Sequence, residues 1–151
     1  MCGRFTLRTP LGRLVERFLF EAPPDLSFQP RFNIAPSQPV AALRRAENNQ
    51  PRQLFMARWG LIPSWAKDAT IGSRLINARC ETVSEKPSFR SAFKHRRCLV
   101  LADGYYEWKT LGAKKPKQPY LFQMANNEPF ALAGLWEHWQ DADGGSVETC
   151  T

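Results

Sequence analysis

The sequence has little histidine and no closely spaced pair of cysteines. Its 151 residues include two histidines, His95 and His138, whose polar neighbours are typical of surface positions. The four cysteines are Cys2, Cys80, Cys98 and Cys150. Because no C-x-x-C pair is present, no spacing typical of zinc ligands arises, and we predict that the protein needs neither a metal nor a cofactor. Cys80 and Cys98 are interpreted as packing residues.

Long apolar runs, a secretory signal and the common catalytic fingerprints are absent from the sequence as well. No stretch has the length and apolarity of a membrane span or the pattern of a signal peptide. A Ser-His-Asp arrangement, a P-loop and a dinucleotide-binding glycine motif are also missing. We therefore predict a reduced, cytoplasmic protein that does not act at a membrane.

Apolar and basic residues are both abundant. Hydrophobic residues make up 43% and aromatic residues 12% of the chain, which is enough for the core of one domain over residues 1–151. Lys and Arg number 21 against 14 Asp and Glu, so the net charge is +7. This surplus favours a polyanionic partner, although scattered basic residues are also typical of an ordinary solvated surface.

Twelve prolines and nine glycines spread along the chain indicate many short elements. Helices are predicted over residues 10–20, ended by Pro23-Pro24, and within 82–94. Strands are predicted at 40–43, 53–59, 98–102, 105–109, 120–124, 130–136 and 147–151. Turns or loops are predicted at 29–38, 46–52, 103–104, 114–118 and 141–145. The strand that begins at Val147 has no partner segment after it, so we interpret the chain as lacking a C-terminal part.

Cys2 follows the initiator methionine directly, and a small second residue favours removal of Met1. The α-amine and thiol of Cys2 would then form a 1,2-aminothiol. The amine can condense with an aldehyde, and the thiol can close a five-membered thiazolidine ring on the product. The alternative interpretation is a small apolar residue near an ordinary terminus.

Glu107, Asn77 and Arg79 are further candidates for chemistry. Glu107 lies between aromatic residues, where partial desolvation favours the protonated acid and suits a proton donor. Asn77 could orient an attacking amine, and Arg79 could hold a phosphate through two hydrogen bonds. Each has a structural alternative: an edge-strand glutamate paired with a basic residue, a turn asparagine and a surface arginine.

Two loops carry residues suited to contacts with DNA. Asn33 and Pro36 lie in a rigid loop beside possible phosphate-binding arginines, with Asn33 in a short extended piece. Trp65 looks exposed and could stack on an unpaired base, a contact worth about 1–3 kcal/mol. Tryptophans in such segments more often belong to a core.

Several segments in this order resemble one family. They are Met-Cys-Gly-Arg-Phe at the start, Phe-Asn-Ile-Ala-Pro at 32–36, Arg-Trp-Gly-Leu-Ile-Pro-Ser-Trp at 58–65, Ile-Asn-Ala-Arg-Cys-Glu-Thr at 76–82, Ala-Asp-Gly-Tyr-Tyr-Glu-Trp at 102–108 and Ala-Gly-Leu-Trp at 133–136. The sequence closely resembles the SRAP (SOS-response-associated peptidase) family of abasic-site processing proteins. The resemblance implies a mixed, mainly antiparallel α+β fold, an open barrel-like arrangement with short flanking helices and a basic groove.

The resemblance also implies a function and a set of site residues. It implies a monomer, associated with the nucleoid, that binds single-stranded DNA and its junctions with duplex. Cys2 would cross-link to an abasic site as a thiazolidine, with Asn77 and Glu107 as catalytic residues and a lyase reaction as a side activity. The residues expected along the DNA path are Arg4, Asn33, Pro36, Trp65 and Arg79.

One departure and two alternatives accompany this resemblance. The family carries a histidine in an Ile-His-x-Arg-Met-Pro segment, which is missing here, and His138 does not match that motif. One alternative function is a thiol autopeptidase that removes its own N-terminal residues, with Cys2 as the nucleophile. The other is a single-stranded DNA-binding module without catalytic activity.

Overall fold

The computed structural model describes residues 2–22, 26, 28–46, 51–112 and 115–151. Within these ranges the chain forms short strands and three short helices. The strands are β1 (Phe5–Leu7), β2 (Phe20–Glu21), β3 (Arg31–Ile34), β4 (Pro39–Arg44), β5 (Arg52–Trp59), β6 (Arg97–Ala102), β7 (Gly104–Lys109), β8 (Gln118–Phe122), β9 (Phe130–Gln140) and β10 (Ser146–Cys150). The helices are α1 (Leu11–Phe18), a 3-10 helix (Ala69–Arg74) and α2 (Arg90–His95).

The larger sheet, sheet II, runs in the order β10-β9-β6-β4-β5-β2. The strand β10, at one end of this order, pairs antiparallel with β9. It also pairs parallel with β5, where Thr149 lies opposite Arg58 and Cys150 lies opposite Trp59. The second pairing closes β4, β5, β10, β9 and β6 into a ring. The strand predicted from Val147 therefore has a partner on each side within the described chain, which leaves no open edge there.

The smaller sheet, sheet I, has the order β3-β1-β7-β8, and its pairings are all antiparallel. The chain crosses from sheet II to sheet I at Asp103, between β6 and β7. A turn was predicted at Asp103-Gly104, and the chain does bend at Asp103, although the strands on either side of the bend do not pair with each other. β6 pairs with β4 and β9 while β7 pairs with β1 and β8, so Asp103 is a bend between sheets.

The core fills the space inside the ring and between the two sheets. Phe5 of β1 packs edge-on against Trp59 of β5, with ring centroids 5.2 Å apart. Farther along β5, the Arg44 guanidinium lies 4.5 Å from the ring centroid of Phe55 and 4.6 Å from that of Trp136. An ion pair with Glu148 compensates the charge of Arg44 in this half-buried position. The ring of strands thus encloses a packed core, in which the Arg44 guanidinium lies beside Phe55 and Trp136.

The predicted fold class is confirmed: sheets with mixed but mainly antiparallel pairing form a barrel-like ring, accompanied by short helices. The helix predicted at 10–20 is α1, and α2 is the short helix predicted within 82–94. Of the predicted turns, 141–145 joins β9 to β10, where Asp141 N–H donates to the carbonyl of Gly145. Pro23-Pro24, most of the predicted turn at 46–52 and part of the one at 114–118 lie outside the described residues.

Two further predictions differ from the structure. The proline-bounded loop at 29–38 contains a strand, β3, because the extended piece around Asn33 pairs with β1. Cys80 was interpreted as a packing residue, but it is exposed, since it lies in a run of turns on the surface after Asn77. Cys98 is buried as predicted, and His95 and His138 are exposed. None of the described helices has the length and apolarity that crossing a membrane would require.

Candidate functional site

Cys2 lies directly before β1 at the edge of the core and is half-buried. Its thiol donates a hydrogen bond to the carbonyl of Arg4, with Sγ and O 3.3 Å apart. The side-chain amide of Asn77 donates to the carbonyl of Cys2 at 2.7 Å. Asn77 therefore fixes the backbone of Cys2 from a position 75 residues away in the sequence.

The segment that carries Asn77 is attached to the ring by two hydrogen bonds. The indole N–H of Trp59, at the end of β5, donates to the carbonyl of Ile76 at 2.7 Å. The N–H of Leu61 donates to the carbonyl of Leu75 at 3.1 Å. Because Trp59 is buried in the core, these contacts give Asn77 a defined position relative to the ring.

A close contact between two glycines lies beneath this segment. Gly60 has φ +123°, and a Cβ added there would lie 2.6 Å from the carbonyl oxygen of Gly72. A Cβ at Gly72 would lie 2.8 Å from the carbonyl oxygen of Gly60. Only glycine fits at either position, so the 3-10 helix can pack backbone to backbone against the end of β5.

Glu107 on β7 is half-buried, and its carboxylate interacts electrostatically with the Cys2 thiol. Burial raises the pKa of the Cys2 thiol above its ordinary value; a backbone hydrogen bond at Arg4 lowers it in part, and the Glu107 carboxylate raises it further. The thiol is therefore protonated near neutral pH, in agreement with its role as hydrogen-bond donor to Arg4. The site combines the Cys2 thiol, the Asn77 amide that holds the Cys2 backbone, and the Glu107 carboxylate that acts on the thiol electrostatically.

Arg4 and Asn33 form a second group beside Cys2. The Arg4 guanidinium donates to the side-chain oxygen of Asn33 at 2.9 Å. The hydroxyl of Tyr106, next to Glu107 on β7, donates to the carbonyl of Phe32 at 3.0 Å. The first contact joins the segment before β1 to β3, and the second joins β7 to β3, so the residues that follow Cys2 are held to sheet I.

A small apolar cavity of about 180 Å³ lies behind Cys2 and Asn77. Its other walls are mainly side chains of the ring core. They are Phe5, Trp59, Ile76, Val100, Leu132, Ala133, Cys150 and Thr151. Cys2 thus lies between an apolar cavity and the polar group of Glu107, Asn77 and Arg4.

The remaining residues predicted along the DNA path are less closely joined to this site. Trp65 is 59% exposed, Arg79 is exposed and Pro36 is half-buried in the turn after β3. Within the described parts of the chain, these three make no hydrogen bond or ion pair with Cys2, Asn77 or Arg4. Their role in DNA binding remains a prediction.

Asp103 is an important residue that the sequence analysis treated only as a turn residue. Its carboxylate is 3% exposed and accepts hydrogen bonds from the Thr6 hydroxyl at 2.6 Å, the Thr9 N–H at 2.8 Å and the N–H of Arg8. Burial alone raises the pKa of this carboxyl, but the hydrogen bonds from Thr6, Arg8 and Thr9 together hold the pKa below its ordinary value. Asp103 fixes the residues that follow β1, and no spacing in the sequence indicates these long-range contacts.

Among the described residues, no group of three or more His, Cys, Asp or Glu side chains is arranged so that it could hold a metal ion.

Comparison with known proteins identifies the family of the chain. A profile of the family described as SOS response associated peptidase (SRAP) matches residues 1–151. The chain belongs to the SRAP family. Within that family it is similar to the abasic site processing protein YoqW of Bacillus subtilis (strain 168), with 43% identity over 152 residues. That match covers 100% of this chain and 66% of YoqW.

Other SRAP relatives and a solved structure match over the same extent. The abasic site processing protein YedK of Escherichia coli (strain K12) is 32% identical over 157 residues, covering 99% of this chain and 67% of YedK. A crystal structure of a protein from Bacteroides thetaiotaomicron superposes with a TM-score of 0.81 at 25% identity, covering 99% of this chain and 66% of that one. The chain spans about two thirds of the length of the relatives that it matches.

Proposed function

We propose that this SRAP chain binds single-stranded DNA and links itself covalently to abasic sites through Cys2, as part of the response to DNA damage. The observation that supports the proposal most is the hydrogen bond from Asn77 to the carbonyl of Cys2, together with the electrostatic interaction of Glu107 with the Cys2 thiol; both residues come from distant parts of the chain. Relatives that match along the whole chain are named abasic site processing proteins.

The first stage of the proposed reaction exposes and captures an aldehyde. An abasic site is a cyclic hemiacetal in equilibrium with a small amount of open-chain aldehyde. As the ring C1′–O bond breaks, Glu107 donates a proton to the ring oxygen and the C1′ hydroxyl loses its proton to solvent, which leaves an aldehyde at C1′ and speeds opening. The α-amine of Cys2, freed when Met1 is removed, then adds to C1′ and gives a carbinolamine, which loses water to form a Schiff base. Met1 lies outside the described residues.

The second stage closes the ring. The Cys2 sulfur adds to C1′ of the Schiff base, the thiol proton passes to the nitrogen, and a thiazolidine forms. The overall change is amine plus thiol plus aldehyde giving thiazolidine plus one water, with no oxidation or reduction. A Schiff base that does not close can instead promote strand cleavage, which accounts for a lyase side reaction.

The raised pKa of the Cys2 thiol favours this order of attack. An α-amine has a reference pKa of about 7.7–8.0, so part of it is unprotonated near neutral pH. The thiol is protonated there, because burial raises its pKa. The amine is therefore the first nucleophile, and the thiol reacts once an electrophilic imine lies beside it.

The proposal is tested with a single-stranded oligonucleotide whose one uracil is converted to an abasic site by a glycosylase. We expect the protein to form an adduct that survives denaturing electrophoresis. Cys2→Ala should form no such adduct, because it lacks the thiol that makes the link durable. Cys2→Ser keeps the amine and a similar size, so we expect an adduct that needs borohydride trapping to persist.

The controls separate the proposed reaction from the other functions. An oligonucleotide with intact bases should give no adduct with any variant. Salt-sensitive binding of abasic and intact strands alike, with no adduct from a protein whose Met1 is shown by mass spectrometry to be absent, would contradict the proposal. That result would identify a DNA-binding module without catalytic activity.

A further inference from the structure

Exposed aromatic side chains lie on β8, the edge strand of sheet I within the described chain. Tyr120 is 48% and Phe122 47% exposed, and both are on the same face of β8 because side chains alternate along a strand. Large apolar side chains grouped at a surface usually mark a binding site. We call Tyr120 and Phe122 the aromatic platform.

The aromatic platform adjoins the proposed acid. Tyr120 lies directly opposite Glu107 in the antiparallel pairing of β7 and β8, and Phe122 lies opposite Tyr105. Directly opposed side chains have Cβ atoms about 4.5–5.5 Å apart, so the Tyr120 ring is an immediate neighbour of the Glu107 carboxyl. An open pocket of about 430 Å³ is lined by both platform residues together with Glu107, Trp108 and Lys109.

The two rings of the platform differ in how they are supported. Phe122 is stacked on Tyr105, with ring centroids 5.2 Å apart and planes inclined by 14°. Tyr105 in turn contacts Phe130 edge-on, so the ring of Phe122 packs against an aromatic cluster. Tyr120 makes no ring contact, hydrogen bond or ion pair with any other described residue. The Tyr120 ring is therefore free to receive a planar ligand beside Glu107.

The charges around the platform favour a nucleic acid as the occupant. Exposed Lys109, Lys115 and Lys117 precede β8 in the sequence, and Lys109 lines the pocket itself. Cations beside exposed aromatic rings are typical of surfaces on which bases stack while the phosphates contact the cations. A protein partner with an apolar face would gain little from the lysines.

We propose that Tyr120, supported by Phe122, stacks on the unpaired base next to the abasic site and so positions the baseless sugar beside Glu107 and Cys2. This inference rests on the proposed function, and it adds that recognition depends on a base adjacent to the missing one. Stacking does not distinguish the four bases, so any base at that position serves.

The test is a double-mutant cycle between the protein ring and the DNA base, measured by equilibrium binding in a Cys2→Ala background so that no covalent link forms. The DNA carries one stable tetrahydrofuran abasic analogue, with the neighbouring base on either side present or also removed. Tyr120→Ala should weaken binding about five- to a hundred-fold when the neighbouring base is present. The same substitution should change binding less than about two-fold when that base is absent.

Two matched variants complete the design. Tyr120→Phe keeps the ring and should bind like the parent protein. Leu121→Ala changes an equally exposed residue on the opposite face of β8 and should also have little effect. Equal losses by Tyr120→Ala on both DNAs, or the same loss by Leu121→Ala, would overturn the inference. The inference would also be overturned if Tyr120→Ala changed the sedimentation coefficient of the protein and had no effect on DNA binding. That result would assign the platform to a contact between protein molecules.

The platform and the cross-link can fail separately. Because binding is measured without Cys2, a missing adduct in the wild-type protein contradicts the proposed cross-link and leaves the binding cycle interpretable. Conversely, a normal adduct with no coupling between Tyr120 and the neighbouring base contradicts only the platform.

Discussion

At the scale of single residues, Cys2 differs from the other cysteines in its surroundings. Cys98 and Cys150 are buried in the ring core, and burial raises the pKa of the Cys98 thiol to about 12 and that of Cys150 still further. Cys80 is exposed at the surface. Cys2 is half-buried, interacts electrostatically with Glu107 and is held by Asn77, which is the combination expected of a reacting group.

Asp103 leads to a prediction about pH. Because its folded-state pKa is held below the ordinary value, its contribution to stability is complete above the unfolded pKa of about 3.9 and is lost as the pH falls through the folded value. Asp103→Asn should lower the free energy of unfolding at neutral pH by about 1–3 kcal/mol, since an amide cannot accept all of these hydrogen bonds. It should also show a smaller loss of stability than the wild type when the pH is lowered below about 4.

Urea unfolding at a series of pH values measures both effects. Asp143→Asn is the matched control, because Asp143 is exposed in the turn between β9 and β10 and should leave the pH dependence unchanged. The interpretation would be wrong if Asp103→Asn kept the full acid-induced loss of the wild type.

At the scale of elements, β10 closes the ring, and one hydroxyl connects it to the segment after β5. Thr149 is fully buried, and its hydroxyl oxygen accepts a hydrogen bond from the buried N–H of Ile62 at 3.0 Å. Thr149→Val keeps the volume but leaves that N–H without a partner. We expect a loss of about 1–3 kcal/mol in the free energy of unfolding, measured as a lower urea midpoint with an unchanged m-value.

Thr151 provides the control for this substitution. It follows β10, two residues after Thr149, and its buried hydroxyl has no hydrogen-bond partner among the described residues. Thr151→Val should therefore be neutral or slightly stabilising, because it removes a buried polar atom that makes no bond. Equal destabilisation by the two substitutions would contradict the role given to the Thr149 hydrogen bond.

At the scale of the whole molecule, the net charge of +7 predicts a strong dependence of DNA binding on salt. If about four phosphates are neutralised, a plot of the logarithm of the binding constant against the logarithm of the salt concentration has a slope of about −0.7 × 4. The affinity then drops roughly fifty-fold between about 50 and about 200 mM salt. Fluorescence anisotropy with a labelled single strand measures the slope.

Two arginine variants test which side chains contribute to the salt dependence of DNA binding. Arg79→Gln should make the slope shallower by about 0.7 if this exposed residue contacts one phosphate. Arg13→Gln should leave it unchanged, because the Arg13 guanidinium already pairs with Glu128. A slope near zero in the wild type would contradict a polyanionic partner.

The sequence by itself determined the elements whose periodicity is local. The apolar spacing of α1, the alternation along β5 and β9 and the Asp-Gly-Gly turn before β10 act over a few residues, and all were predicted near their observed positions. The family motifs also pointed to Cys2, Asn77 and Glu107 as one site. The resemblance carried that prediction, because these residues are too far apart in the chain for any local pattern to join them.

Only the tertiary structure decided how the elements meet. The pairing of β10 with β5, the bend at Asp103 between two sheets and the position of Tyr120 opposite Glu107 all depend on which strands become neighbours. A strand's own residues fix which side chains share a face, but its partner is chosen by the packing of the whole core. For that reason the proposed reacting groups could be named from the sequence, while the aromatic platform beside Glu107 could not.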